Sequence, residues 1–117
     1  MKIQLRFRDA TFTVNLVDQA ATRDLVSMLP LKLTVGDFAS AEKIAYLPSK
    51  LSTQGAPAGT DAQVGDLTYY APWGNLAFFY RKGSYASGLV HLGRVEGAVD
   101  GLARQEEGTV TIELVSA

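Results

Sequence analysis

Apolar and polar residues alternate strictly from Lys2 to Arg8, with Ile3, Leu5 and Phe7 on one side and Lys2, Gln4, Arg6 and Arg8 on the other. A period of two sends successive side chains to opposite faces, so the run predicts a half-buried strand. Phe12, Val14 and Leu16 repeat the period against Thr11, Thr13 and Asn15, and Asp9-Ala10 between the runs predicts an opening β-hairpin. At Asp18 the period changes. Ala21, Leu25, Met28 and Leu29 fall on one helical stripe, Asp18 is placed to cap the first turn, and Pro30 stops the element. Leu31, Leu33 and Val35 return to strand alternation and end at Gly36-Asp37, and a weaker strand spans Lys43 to Leu47, stopped by Pro48.

Residues 48–65 are rich in Ser, Gly, Pro and Ala, which predicts a long surface loop laid over the body of the domain. Two strands, Leu67 to Tyr70 and Asn75 to Arg81, then flank a Pro-Trp-Gly turn. The second carries the nearly continuous apolar run Leu76-Ala77-Phe78-Phe79-Tyr80, so both of its faces are expected to be covered. A polar piece after Lys82-Gly83-Ser84 leads to a strand over Leu89 to Val95, a short helix over Ala98 to Ala103, and a closing strand over Thr109 to Val115. About seven short strands and two short helices without repeats predict a mainly β fold, a closed or nearly closed β-barrel with helices at its ends.

Composition narrows the chemistry. One domain over residues 1–117 is expected at this length, with 47% hydrophobic and 20% charged residues. A formal charge of -1 gives no field for gripping phosphate backbones, so nucleic acid is not an expected partner. With no Cys and one His, thiolate chemistry, disulfides and paired-His zinc sites are excluded, and no dense Asp cluster offers calcium ligands; neither metal nor cofactor is expected. No apolar run reaches the roughly 20 residues of a membrane span, and no basic-then-apolar leader opens the chain, so a cytoplasmic protein without a membrane partner is expected. No P-loop, G-x-G-x-x-G or G-x-S-x-G run occurs.

The candidate surface lies in residues 65–81, which hold the single Trp and six of the eleven aromatic residues. Trp73, between Pro72 and Gly74, has two readings, a cap on the core or an exposed binding anchor. Tyr69 and Tyr70 point to opposite faces of a regular strand, so one is core and the other is available to a groove. Asn75, Ala77, Phe79 and Arg81 share one face and Leu76, Phe78 and Tyr80 the other. The first set reads either as a groove lining or as a core strand with polar ends. His91, the one side chain able to change charge near neutral pH, lies on an apolar strand, as a structural residue or a groove residue.

The segment Gly65-Asp66-Leu67 through Gly74-Asn75-Leu76-Ala77-Phe78-Phe79-Tyr80 resembles the part of cyclophilins where a strand and a Gly/Asn-rich turn lead into a Gly-Ser-Gln-Phe-Phe strand. Leu92-Gly93-Arg94-Val95-Glu96-Gly97 is similar to their Phe-Gly-Lys-Val stretch and the Glu-Gly soon after it. The whole chain resembles the small bacterial cyclophilin-like proteins, which also occur fused to flavodoxin-like domains. The resemblance implies a closed barrel of about eight strands in two roughly orthogonal sheets with a helix at each end. Cyclophilins isomerise Xaa-Pro bonds, whose barrier is about 18–20 kcal/mol, with an Arg, assisted by a Gln, that favours the twisted amide. Here Ala77 aligns with the Gln, Ala45 with the Arg when Pro48 anchors the alignment, and His91 lies two residues closer to Gly93 than the family's His to its glycine. Phe79 keeps a pocket-lining position.

The expectation is therefore a noncatalytic module, without catalytic residues, that binds a peptide or small ligand in a groove of Tyr70, Trp73, Asn75, Phe79, Arg81 and His91. The alternative is an atypical peptidyl-prolyl isomerase using Arg81 or Arg94, and a third class is an accessory or assembly domain with Trp73 in a contact between copies. Oligomeric state is left open.

Overall fold

Ladder pairing, more than local propensity, sets the element bounds. The computed structural model describes residues 1–99, 101–105 and 107–116. Its elements are β1 (Lys2–Arg6), β2 (Thr11–Leu16), α1 (Ala20–Met28), β3 (Leu31–Phe38), β4 (Glu42–Tyr46), β5 (Gly59–Asp61), β6 (Asp66–Tyr70), β7 (Asn75–Phe79), β8 (Tyr85–Ser87), β9 (Leu89–Val95) and β10 (Gly108–Ser116). Eight of the strands close into an antiparallel barrel in the order β1-β10-β3-β4-β7-β6-β9-β2, and β5 pairs with β8 in a separate two-stranded sheet. The mainly β barrel expected from the alternation, and the eight strands implied by the resemblance, are both present.

The alternating residues fill the barrel. Ile3 and Leu5 of β1, Phe12 and Val14 of β2, Leu33 and Val35 of β3, and Val110 and Ile112 of β10 all lie in one buried cluster. Leu67 and Tyr69 of β6, Leu76 and Phe78 of β7, and Val90 and Leu92 of β9 complete it from the other side. Phe12 meets both Phe7 and Phe78 edge to face, at centroid distances of 5.8 and 5.5 Å, a favoured aromatic geometry. Ala21 and Leu25 of α1 enter the same core.

Several local expectations are corrected. Asp18 does not cap α1: Gln19 is the N-cap residue, its backbone N–H donates to Thr22 Oγ1 at 3.0 Å, and exposed Asp18 pairs with Arg23 at 2.7 Å. β3 does not stop at Gly36-Asp37. Those residues and Phe38 pair with Ile44, Lys43 and Glu42, and the chain reverses at Ala39 and Ser40, which take the left-handed φ values of 55° and 50°. The loop over residues 48–65 contains β5 and is tied down by Asp24 Oδ2, which accepts from Ser52 N–H at 2.7 Å, and by buried Tyr69 Oη, which accepts from Leu51 N–H at 3.2 Å. The helix expected over Ala98–Ala103 includes Asp100, which lies outside the described residues; around it, Leu102, Arg104 and Gln105 donate backbone bonds to residues three earlier.

Strand β9 carries a bulge. Leu67 pairs with Gly93 and Thr68 with His91, so Leu92 is the extra residue, and His91 and Arg94 come to the same outer side as a result. Gly93 also sits so close to β2 that a Cβ there would fall inside contact distance of the Asn15 carbonyl oxygen.

Candidate functional site

Strand β7 is buried at all five positions, and its two faces meet different partners. Leu76 and Phe78 face the barrel interior; Ala77 and Phe79 belong to a second, smaller cluster with Ala62 and Leu89, against which Ile44, Tyr70 and Ala86 pack. The cover over this outer face is the β5–β8 sheet, an element the polar composition of its two strands hides. The continuous apolar run of β7 thus has the cause expected for it, burial on both sides.

Beside that cover lies a cleft of about 390 Å³. Ile44, Tyr70, Asn75, Phe79 and Leu89, all on the outer side of their strands, line it from the barrel. Phe38, Ala39, Ala41 and Glu42 bring in the β3–β4 turn, Trp73 the β6–β7 turn, and Lys82, Gly83, Ser84 and Ala86 the approach to β8. Gly83 lies against the Phe79 ring, where a Cβ would come within 2.8 Å of Cε2, and its N–H donates to Ala62 O at 2.9 Å. The absence of a side chain at residue 83 is what lets this segment close over Phe79.

Trp73 is 51% exposed and is a wall of the cleft, not a cap on the barrel core. Its ring meets Phe38 at 5.6 Å and Tyr70 at 5.2 Å, with interplanar angles of 83° and 84°. Asn75 is 1% exposed; its Nδ2 donates to Leu76 O at 3.0 Å, and among the described residues its Oδ1 accepts no hydrogen bond. A buried acceptor left open costs about 1–3 kcal/mol.

Charge is unevenly matched around the cleft. Burial, reinforced by the nearby Asp37 carboxylate, pushes the half-buried Glu42 carboxyl up to about 7. Among the described residues no cation pairs with it, although Lys82 lines the same cleft. Asp37 is better served: the Tyr80 hydroxyl donates to its Oδ1 at 2.6 Å and buried Lys43 approaches the same atom at 3.0 Å. These bonds, the Tyr80 one foremost, hold the Asp37 carboxyl below its usual range, while burial and the bond to Asp37 push the Tyr80 hydroxyl up to about 12.

Of the six residues expected in a groove, Tyr70, Trp73, Asn75 and Phe79 come together in this cleft, and Arg81 and His91 are not among its lining residues. Arg81 is exposed on the segment after β7. His91 lies on β9 with its Nδ1 3.6 Å from Asp66 Oδ2, beside Arg94, whose Nε donates to Asp66 Oδ1 at 2.8 Å. Asp66 is itself buried and accepts a second hydrogen bond, from Gln63 N–H at 2.9 Å. Arg94 is thus engaged in a structural cluster.

The two alignment positions also find places. Ala45 lies within the barrel core, so the strand position aligned with the family's Arg does not face the cleft; its outward neighbours Glu42 and Ile44 do. Ala77 is fully buried beneath the small sheet, opposite Ile44 in the ladder. Glu42, Phe38 and Lys82 were not singled out from the sequence. The one available signal for Glu42 was its parity with Ile44 on β4, and a Glu-Lys pair at a strand start reads as solvated surface. Among the described residues no three His, Asp or Glu side chains group as a metal site, and no helix is long and apolar enough to cross a membrane.

Comparison with known proteins adds one match: the model of the cyclophilin-like family covers residues 5–114. No curated protein matches the chain.

Proposed function

The chain belongs to the cyclophilin-like family, and from that premise we propose that it is a noncatalytic binding module whose outer cleft takes a peptide or small ligand against Tyr70, Trp73, Asn75 and Phe79. The observation that carries this reading is the makeup of the cleft. Its lining combines aromatic and aliphatic walls with few polar groups, as ligand sites do. The isomerase reaction of cyclophilins uses an arginine at the twisted amide, and no arginine is among the lining residues. Arg94 is committed to Asp66, and Arg81 stands outside the cleft.

Exchange NMR on a series of Xaa-Pro peptides should therefore give the uncatalysed isomerisation rate, while peptides or small aromatic compounds quench or shift the fluorescence of Trp73, the single Trp of the chain. Turnover well above the uncatalysed rate that disappears in Phe79→Ala, and in either Arg81→Ala or Arg94→Ala, would establish an atypical isomerase instead. A cytoplasmic home is part of the proposal. Cell fractionation that finds the chain confined to a membrane or secreted fraction would remove that part.

A further inference from the structure

Resting on that reading of the cleft, we infer the class of its ligand: an organic cation, an ammonium group on a short aromatic or apolar body, with its charge on Glu42 and its body against Trp73. Two observations converge on it. Trp73 stands nearly perpendicular to both Phe38 and Tyr70 at centroid distances of 5.6 and 5.2 Å, so three π-systems border one small volume. Ring faces carry partial negative charge and attract ammonium groups within about 6 Å of their centroids.

The carboxylate selects the same sign of charge. Glu42 lines the cleft without a cationic partner among the described residues. An ammonium pairs with the carboxylate and lies against the aromatic walls, a neutral body keeps the apolar contacts and leaves the carboxylate unpaired, and an anion meets the Glu42 carboxylate head on. The surroundings of Glu42 leave room for such a partner. Asp37 of β3 adds negative charge, Tyr80 after β7 is bonded to Asp37, and Lys43 of β4 is turned to Asp37 and the Ala103 carbonyl. Lys82 is the remaining charged lining residue and makes no ion pair with Glu42. Because burial already holds the Glu42 carboxyl near 7, an arriving cation stabilises its ionised form and displaces a proton.

The probes are 2-phenylethylammonium, the neutral 2-phenylethanol and the anionic 3-phenylpropanoate, titrated into the whole chain while Trp73 fluorescence and amide shifts are followed. The ammonium should bind about tenfold tighter than the alcohol, and the carboxylate weakest. Its affinity should rise between pH 6 and pH 8, and Glu42→Gln should remove both the preference and the pH dependence, with Trp73→Ala weakening the ammonium at a position exposed enough to leave the fold intact. A parallel titration with acetyl-Phe-Lys-amide separates sources: tighter binding than the free amine assigns the cation to a peptide lysine, weaker binding to a small amine. Equal or tighter binding of the alcohol or the carboxylate, or an ammonium affinity untouched by Glu42→Gln, overturns the cation assignment and leaves the binding reading in place. Failure of every one of these probes to perturb Trp73 overturns the cation assignment, and the binding reading falls as well only when the Xaa-Pro peptide series also leaves Trp73 and the cleft amides unmoved.

Discussion

Glu42 and Asp37 sit five residues apart on one hairpin, and their carboxyls are shifted in opposite directions. The folded Glu42 carboxyl is raised from 4.5 to about 7, so between those values the folded chain holds a proton that the unfolded chain has lost. Its contribution to stability is full below about pH 4.5 and is lost as the pH rises through about 7. For a half-buried group screened by solvent the loss is on the order of 1 kcal/mol. Asp37, held low by Tyr80 and Lys43, contributes above its unfolded value and loses that contribution as the pH falls. Glu42→Gln should therefore be more stable than the parent at pH 8 and nearly equal at pH 4, read from urea midpoints at the two pH values. At this scale the sequence announced aromatic residues better than charged ones. Trp73 and Tyr70 stood out by type and turn position, whereas Glu42 acquires its character from burial, with Asp37 across the turn adding to it, and neither is visible in the local pattern.

At the scale of elements, the strand pattern was legible because one face of each barrel strand packs inward and the period of two survives in the residues. What escaped were features decided by contacts between distant segments. β5 and β8 are three residues each, exposed or half-exposed, and exist because each gives the other a ladder partner over Ala77 and Leu89. Gly36-Asp37 has the composition of a turn and is strand because β4 pairs with it. The bulge in β9 is of the same kind, and it requires close approach of β2 at Gly93. Gly93→Ala should cost about 1–3 kcal/mol, since the added methyl group meets the Asn15 carbonyl and one backbone must move. A chemical denaturation series reads this directly, and a loss below a few tenths of a kcal/mol would show that the two strands part easily. Arg81 fell outside the cleft for a related reason: β7 ends at Phe79, so the alternation that placed Arg81 beside Phe79 no longer applies two residues later.

For the molecule as a whole, ring closure joins the first and last strands through β1 and β10, so few native contacts are local. A topology of this type folds slowly, in milliseconds to seconds, and as one unit. Trp73 rests on Phe38 of β3 and Tyr70 of β6, both barrel strands. Its fluorescence should lose the folded signal at the same denaturant concentration as the far-ultraviolet circular dichroism of the barrel. Separate midpoints would mean that the cleft opens while the ring stays shut.

The double burial of β7 has a further consequence for how this surface can change. Ile44, Asn75 and Phe79 look outward from strands whose alternate residues, Ala45, Leu76 and Phe78, hold the interior. Parity along the chain thus gives β7 two packing duties, one toward the barrel interior and one toward the small sheet and cleft. A change of size at Phe79 alters the cleft and the seat of the β5–β8 sheet together, so what the surface recognises can be retuned only within the volume that the sheet closes over.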